Sequence, residues 1–395
     1  MINPRTWAEI DLGAMARNLK KVRGHLSRGT RVLAVVKANA YGHGAIAVSR
    51  VLLENGASML GVGDSGEAME LREAGISAPI MILGAICERE VEALVEYRII
   101  PSVHSLDRAY SLQDAMKRYG ACLSVNVNID TGMGRLGIKP ENALELIEYV
   151  QSCPNLRLFG VSTHFSSAHS NKEFTLHQLG VFKDVLRKAK RKGIRIPVVH
   201  AANSAALFGL SETHFDMVRP GAALYGIDPG NLKECGVELE PVLSWHTQVV
   251  FLKGVEEGTP IGYNRNFIAP RKMRIATLCV GYNDGFHFIF SNRGEVLIRG
   301  KRCKVVGNVT MDYIMVDVTD VPDVSVGDTV TLLGRNGGDE LTCRDLAQVL
   351  SAPPYVITTS LGKRVKRVYR DACRMPEIEP YRERAISDKE RQVAS

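Results

Sequence analysis

From residue 31 to 219, short runs of apolar and β-branched residues alternate with longer stretches whose apolar positions recur at i, i+3 and i+4. The first pattern buries both faces of a strand and the second buries one stripe of a helix, so the chain reads as repeated βα units. Strands are predicted at 31–37, 59–63, 80–83, 99–103, 122–129, 156–163, 196–200 and 215–219. Helical spacing covers, among other stretches, 45–53, 65–73, 106–117, 142–151 and 174–192. Eight parallel strands with outer helices close into a (β/α)8 TIM-type barrel. An open doubly wound sheet usually stops at five or six strands and would leave some of these runs unused.

Beyond about residue 235 the pattern changes. Short alternating runs at 243–252, 274–280, 296–299, 314–318 and 329–333 are separated by Gly, Pro and Asn turns, with one helical segment at 343–350. The chain therefore divides into a barrel domain at 1–235, a mostly β C-terminal domain at 236–385 and a charged tail at 386–395. Residues Trp7-Ala8-Glu9-Ile10 already read as structured chain.

Composition narrows the class. Apolar residues make up 45% and charged residues 24% of 395, and no stretch reaches the ~18 uninterrupted apolar residues of a membrane span, so a soluble globular protein is expected. Fifty basic against forty-three acidic side chains give +7, which favours small anions but is far below the density of a nucleic-acid coat. The basic run Lys363-Arg364-Val365-Lys366-Arg367 reads as a solvated face rather than a nucleic-acid site. Eight cysteines show no Cys-x-x-Cys spacing, and no Cys/His cluster matches a zinc site. His164 and His169 are five apart across a loop-like segment, too far for a helical metal pair. Reduced thiols and an N-terminus without signal-peptide layout predict a cytoplasmic protein with no metal.

Chemistry in a βα barrel belongs at the C-terminal strand ends. There the sequence places Lys37 after strand one, Asn128, Asp130 and Arg135 after strand five, His164 after strand six, His200 after strand seven and Arg219 after strand eight. Lys37 follows five apolar residues. Its alternatives are a snorkelling surface lysine or an amine whose burial beside other cations frees it for covalent attachment to a cofactor carbonyl. Asn203 and Ser204 after strand seven, with Pro220-Gly221-Ala222 after strand eight, match the barrel phosphate cradle of backbone N–H groups, or else an ordinary helix cap. Gly132-Met133-Gly134-Arg135-Leu136-Gly137 spells a dinucleotide fingerprint, but Lys139-Pro140 delays the helix, and no acidic strand end follows ~20 residues on. Asp130-Thr131-Gly132 likewise imitates an aspartic-protease triplet without a second copy.

The segment Val35-Val36-Lys37-Ala38-Asn39-Ala40-Tyr41-Gly42-His43-Gly44 resembles the cofactor-lysine signature of alanine racemases, pyridoxal-phosphate enzymes of fold type III. The likeness continues through the loop 130–137, Thr163-His164-Phe165, His200-Ala201-Ala202-Asn203-Ser204, Val218-Arg219-Pro220-Gly221, Gly281-Tyr282-Asn283-Asp284-Gly285 and Met311-Asp312, in order along nearly the whole chain. It implies that Lys37 carries pyridoxal 5'-phosphate, with Tyr41, Asn203, Ser204, Gly221 and Tyr355 about the phosphate, His200 supporting the ring and Arg219 facing the pyridine nitrogen. An arginine there keeps that nitrogen unprotonated, so a carbanion is short-lived and is returned to the α-carbon.

Racemisation also needs a proton carrier on each face. The resemblance implies Lys37 on one and Tyr263, from the partner of a head-to-tail homodimer, on the other. A tyrosine phenol titrates near 10, so work at neutral pH calls for phenolate stabilisation along a chain of Tyr263, His164 and Arg219 with Arg135 nearby. Met311 and Arg135 would take the substrate carboxylate, with Tyr282 and Asp312 also from the partner. The implied function is interconversion of L- and D-alanine, supplying D-alanine for peptidoglycan.

Three departures from the family pattern stand out. Asn128 replaces a lysine that is often carbamylated, which leaves an anion such as chloride to position Arg135. Asn264 replaces the usual Gly after Tyr263, and Asn283 replaces a small residue after Tyr282. These put substrate breadth in question and keep a broader racemase, acting for example on serine, as an alternative. A fold-type III decarboxylase would want an acid in place of Arg219, and a non-catalytic carrier lacks the ~150 residues that follow 235.

Overall fold

The computed structural model describes residues 4–370. Its first strand, β1, is Thr6–Asp11, and the barrel strands follow as β2 (Arg31–Val35), β3 (Met59–Val62), β4 (Ile80–Ile82), β5 (Ile99–Ile100), β6 (Ser102–Val103), β7 (Leu123–Asn128), β8 (Leu156–Ser162), β9 (Val199–His200) and β10 (Met217–Val218). They pair in the order β5-β4-β3-β2-β10-β9-β8-β7-β6, parallel throughout. Pro101, which has no N–H to give a ladder, separates β5 from β6. Because β5 bonds β4 and β6 bonds β7, the two halves of one predicted strand close the ring, and the nine segments form an eight-membered barrel. The predicted (β/α)8 fold is what the chain adopts.

Leu33, Val35, Met59, Met81, Val198 and Met217 fill the barrel interior as a cluster of their own, while Val32, Ala34, Leu60 and Ile80 face the helices. This alternation makes the barrel a packed core rather than a pore. Each predicted strand forms but ends before its last predicted residue or two in most cases, so Lys37, Thr163 and Arg219 lie just past the ladder, at the mouth. The helices at Ala45–Glu54, Ser65–Glu73, Leu106–Tyr119, Ala143–Ser152 and Lys172–Arg191 match the predicted stretches.

In the second part, all five predicted runs become strands, the longest being β11 (Leu243–Val255). The helix Cys343–Leu350 forms behind a capping box, in which Asp345 N–H donates to Thr342 Oγ1 (3.2 Å) and Thr342 N–H to Asp345 Oδ2 (2.8 Å). The boundary at 235 does not describe the sheets, however. β1 pairs antiparallel with β11 and parallel with Lys366–Arg370, so residues 6–11, assigned from sequence to the barrel part, form an inner strand of the second sheet, one strand from its edge. Alternation of Thr6, Ala8 and Ile10 toward the core marks a strand, but a period of two does not say which sheet it joins. The next helix, Leu12–Gly24, was not foreseen. Asp11 caps it by accepting from Ala14 N–H at 2.6 Å, and Leu12, Met15, Leu19 and Val22 form its buried stripe. The tail at 386–395 lies outside the described residues. Among the described residues no helix is long and apolar enough to cross a membrane.

Ile10 sits fully buried in this shared strand. Ile10→Ala is expected to lower the unfolding free energy by about 2–4 kcal/mol, read as a drop in urea midpoint, whereas the exposed Lys20→Ala should change it by no more than about 0.5 kcal/mol.

Candidate active site

Lys37 opens a turn that the sequence did not announce. Ala38, Asn39, Ala40 and Tyr41 all have φ between 51° and 54°, so four consecutive non-glycine residues run left-handed before Gly42 (φ 83°). Each costs roughly 1–2 kcal/mol against the right-handed form. The turn is held by its own bonds, Gly42 N–H to Ala38 O (2.9 Å) and Ala40 N–H to Val36 O (2.8 Å), and by side chains from outside. From outside, Glu67 accepts from Ala38 N–H (2.6 Å) and Gly63 N–H (2.8 Å); from within the turn, Asn39 Oδ1 accepts from Ala45 N–H (2.7 Å). A Cβ on Gly42 would meet Thr358 O at 1.9 Å, so the helix Tyr355–Thr359 of the second part packs directly on the turn. Burial moves the Lys37 ammonium below the ordinary lysine range, Arg135 adds to that, and Glu67 opposes it.

Across the mouth, Arg219 is buried and donates from Nη1 to His200 Nδ1 (2.9 Å) and from Nη2 to Thr163 O (2.7 Å), Ala201 O (3.0 Å) and His164 Nδ1 (3.3 Å). A guanidinium only donates, so both histidines must offer a bare Nδ1 and carry their hydrogen on Nε2. For His200 that hydrogen goes to Asn126 Oδ1 at 2.9 Å. Burial first, then the Arg219 charge, keeps both rings neutral, with His164 pushed down to about 3 and His200 well below its ordinary value. Burial alone lowers Arg219, to about 10.

The chain of bonds continues from Asn126 Nδ2 to Ser162 Oγ (2.9 Å), from Ser162 Oγ to Asn128 Oδ1 (3.1 Å) and from Asn128 Nδ2 to Leu136 O (3.0 Å). It therefore ends in the loop carrying Arg135. That loop wraps around Asp130, whose Oδ1 accepts from Gly132, Met133 and Gly134 N–H at 2.9–3.1 Å. Burial would raise this carboxyl, but the three donors together hold it below its usual range. Gly132, Gly134 and Gly137 all have positive φ, and a Cβ on Gly137 would meet Asp130 N at 2.5 Å. The glycines serve this closed loop, in keeping with the rejection of the dinucleotide reading. Arg135 itself is exposed and close enough to lower both Lys37 and His164.

Between the loops after β9 and β10, Ser204 Oγ accepts from Gly221 N–H (3.0 Å) and Ala223 N–H (3.2 Å). The expected cradle of bare backbone donors is thus partly answered by the serine, which keeps its own proton to donate. Asn203 caps the following helix by accepting from Ala206 N–H (3.0 Å), the ordinary role weighed for it in the sequence. A Cβ on Gly221 would lie 2.5 Å from the Tyr41 hydroxyl, so glycine is what lets that phenol approach. Tyr355 meets the Tyr41 ring edge-on at 6.0 Å, and burial, then Tyr355, pushes the Tyr41 phenol up to about 12.

The remaining predicted residues lie elsewhere. Tyr263, Tyr282 and Met311 are 70%, 47% and 53% exposed on the second domain. They are tied together through one loop, since Asn308 Nδ2 donates to Tyr263 O (3.3 Å) and Tyr282 N–H to Thr310 O (3.0 Å). The Asp312 carboxylate accepts from Arg364 Nη1 at 2.6 Å, and Arg364 also grips Asp284. Asn264 has φ 57° and ψ 13°, a left-handed position that asparagine tolerates better than other side chains, so the departure from glycine keeps the Tyr263 turn. One chain therefore gathers Lys37, Tyr41, Arg135, His164, His200, Asn203, Ser204, Arg219, Gly221 and Tyr355, and presents Tyr263, Tyr282, Met311 and Asp312 as a separate outward face. Sequence reasoning missed Glu67 and Asn126. Glu67 had one visible signal, Asp64 placed three residues before it as a helix cap.

The family model of the alanine racemase N-terminal domain matches residues 10–229, and that of the C-terminal domain matches residues 242–369. The chain belongs to the alanine racemase family. The alanine racemase of Halothermothrix orenii is 41% identical over 367 residues, covering 93% of this chain and 97% of that protein. The crystal structure of the Bacillus anthracis alanine racemase with bound L-Ala-P superposes with a TM-score of 0.88 at 34% identity, covering 95% of this chain and 97% of that one. The Bartonella henselae alanine racemase, solved with covalently bound pyridoxal phosphate, gives a TM-score of 0.84 at 30% identity over 93% of this chain and 99% of that one. Membership in this family makes the chain an isomerase, and the decarboxylase alternative is not favoured.

The neutral histidines fix how stability responds to acid. His43 and His200 are fully buried, and burial depresses the pKa of His43 to about 4 and that of His164 to about 3. Above pH ~6.5 folded and unfolded chains are both neutral at these rings, so they add no pH dependence. Below it the unfolded chain takes protons that the folded one refuses, and stability falls by up to about 1.4 kcal/mol per pH unit for each ring. Urea midpoints should therefore be level from pH 7 to 8.5 and drop steeply from pH 6 to 4.5, with the His164 and His200 proton resonances unmoved above pH 5.

Proposed function

We propose that the chain interconverts L- and D-alanine with pyridoxal phosphate at the barrel mouth, and that it supplies D-alanine for peptidoglycan. The observation that carries the reading is Arg219. Its hydrogen bonds leave from Nη1 and Nη2, so Nε–H is among the donors left for a pyridine nitrogen, and a cation there keeps that nitrogen unprotonated. The other groups fit the same cofactor: a half-buried amine at Lys37, the Ser204 hydroxyl, and the Tyr41 phenol at the close approach left by Gly221. When bound, pyridoxal phosphate draws electrons from the substrate α-carbon and makes its proton labile.

The chain's own residues then move that proton. Burial frees the Lys37 amine to take or return it on one face. Tyr263 of the partner subunit serves the other. His164 would support a phenolate there because its Nδ1 is spent on Arg219, which leaves the hydrogen on Nε2 to donate. Arg135 binds the substrate carboxylate together with the Met311 backbone. Tyr282 completes the wall, and Asp312 holds Arg364 behind it. Asn128 steadies the Arg135 loop directly through Leu136 O.

A head-to-tail homodimer is part of the proposal. It is supported by the exposed large apolar side chains of Tyr263, Tyr282, Met311 and Tyr313, carried on loops that bond to one another at 308–313, since apolar groups left exposed together mark an interface. Free thiols at every described cysteine fit a cytoplasmic setting.

Solvent-deuterium exchange at the α-carbon tests the reaction. Both alanine enantiomers are expected to exchange. Absence of exchange with either would remove the function, and exchange of serine equal to that of alanine would remove the substrate assignment. Tyr263→Phe should cut racemisation by about 10²–10⁴-fold while exchange survives with one enantiomer only. Mixing inactive Lys37→Ala and Tyr263→Phe dimers should restore about a quarter of wild-type activity, because half the reassorted dimers regain one of two sites. No recovery, with exchange of subunits confirmed by mass, would rule out a shared site.

A further inference from the structure

The helix Lys172–Arg191 buries a stripe of Thr175, Gln178, Leu179, Phe182, Val185 and Ala189. Gln178 is the long polar side chain in that stripe. It has no exposed surface, and the chemistry above does not use it. Burying a glutamine costs rotamer freedom and leaves two donor and two acceptor positions to be answered.

All four are answered. Oε1 accepts from Ser166 N–H (3.0 Å) and Ser166 Oγ (3.2 Å), and Nε2 donates to His164 O (3.2 Å) and Thr131 Oγ1 (3.4 Å). A backbone N–H only donates and a carbonyl only accepts, so the amide has one possible orientation. Thr131 passes the bond on. Thr163 Oγ1 gives its hydrogen to Ile129 O (2.9 Å), so across the 2.7 Å contact between the two hydroxyls Thr131 is the donor, and its oxygen accepts from Gln178.

One carboxamide therefore joins two loops of the barrel mouth. After β8 it grips the His164 carbonyl and Ser166. On the loop 130–137 it grips Thr131, next to Gly132, where a Cβ would lie 2.9 Å from Phe174 Cζ and 3.5 Å from Gln178 Cγ. His164 is thus held at both ends, its carbonyl by Gln178 and its Nδ1 by Arg219. The second hold is the longest of the Arg219 bonds, at 3.3 Å, so the ring depends on its backbone for placement.

We propose that Gln178 is a positioning residue for one face of the reaction: by tying the His164 carbonyl to the loop bearing Arg135, it sets where His164 Nε2–H stands to meet Tyr263 of the partner subunit. This rests on the reading of His164 and Tyr263 given above. In that reading Lys37 serves the other face, and its turn is held by Glu67, not by Gln178. The effect of losing Gln178 is therefore one-sided.

Solvent-deuterium exchange at the α-carbon of each alanine enantiomer, measured on the holoenzyme, separates the faces once Tyr263→Phe has shown which enantiomer depends on the phenol. Gln178→Leu keeps the bulk and removes all four bonds. It should slow exchange of that enantiomer by at least about tenfold, since a misplacement of about 1 Å is worth roughly 10²-fold, and leave the other unchanged. Gln178→Glu keeps an acceptor for Ser166 and serves if the leucine variant does not fold. Its carboxylate has no hydrogen for His164 O, so the same enantiomer should be slowed at alkaline pH. That defect relative to wild type should shrink as pH falls and the carboxyl, raised by burial, takes up a proton. In protein labelled with ¹⁵N-histidine, either variant should move the His164 Nε2 resonance and leave that of His200, held by Asn126, in place. Equal slowing of both enantiomers, no slowing, or an unmoved His164 resonance would each overturn the assignment. If Tyr263→Phe singles out no enantiomer, the reading of Tyr263 fails instead, and the His164 resonance alone decides whether Gln178 places that ring.

Discussion

A cation buried with no carboxylate partner among the described residues organises the barrel mouth. Arg219 is surrounded by carbonyl oxygens and two imidazoles rather than a carboxylate, so its charge is dispersed over acceptors that stay neutral. That choice propagates. It fixes the tautomers of His164 and His200, and His200 in turn orients Asn126, Ser162 and Asn128 in a line of hydrogen bonds reaching the Arg135 loop. A carboxylate at the same place would satisfy the guanidinium more cheaply, but it would neutralise its field and leave the histidines free to charge. In the reaction proposed above, that uncancelled field is what would keep a pyridine nitrogen unprotonated, at the cost of a desolvated arginine.

The lysine turn shows the same trade in backbone terms. Four left-handed residues in succession are an unfavourable way to leave a strand, and only a dense set of outside partners makes them the stable choice. Glu67 supplies two of those bonds, and the helix Tyr355–Thr359 of the second part packs against Gly42 closely enough to forbid any side chain there. The second domain thus has two relations to the barrel. Through Tyr355 and Thr358 it packs on its own chain's barrel mouth, while the face bearing Tyr263 is turned outward. β1 welds the halves together by starting the chain in the second sheet before the barrel begins.

Much of this was legible in the residue order. Period-two and period-3.6 patterning located all eight barrel strands, because burial on both faces demands continuous apolar runs, and it located the five runs of the second sheet for the complementary reason. The placement of Lys37, His164, His200 and Arg219 at strand ends follows from the parallel fold alone, and with the fold known their convergence is geometric necessity. The motif likeness supplied what patterning cannot, a chemical identity for the group those residues surround.

Tertiary structure decided the rest. That residues 6–11 belong to the second sheet, that Glu67 and Asn126 join the site, and that Ser204 occupies part of the expected phosphate cradle are all consequences of contacts between residues far apart in sequence. The left-handed run at 38–41 is the sharpest case, since of Ala, Asn, Ala and Tyr only the asparagine tolerates that region locally, and the run forms because partners at 63–67 and 358 are in place. Sequence by itself determined which elements form and which side chains face the mouth, since burial periodicity is a local property. Which strand joins which sheet, which tautomer a ring adopts and how much strain a turn carries depend on distant partners, and only the folded chain specifies those.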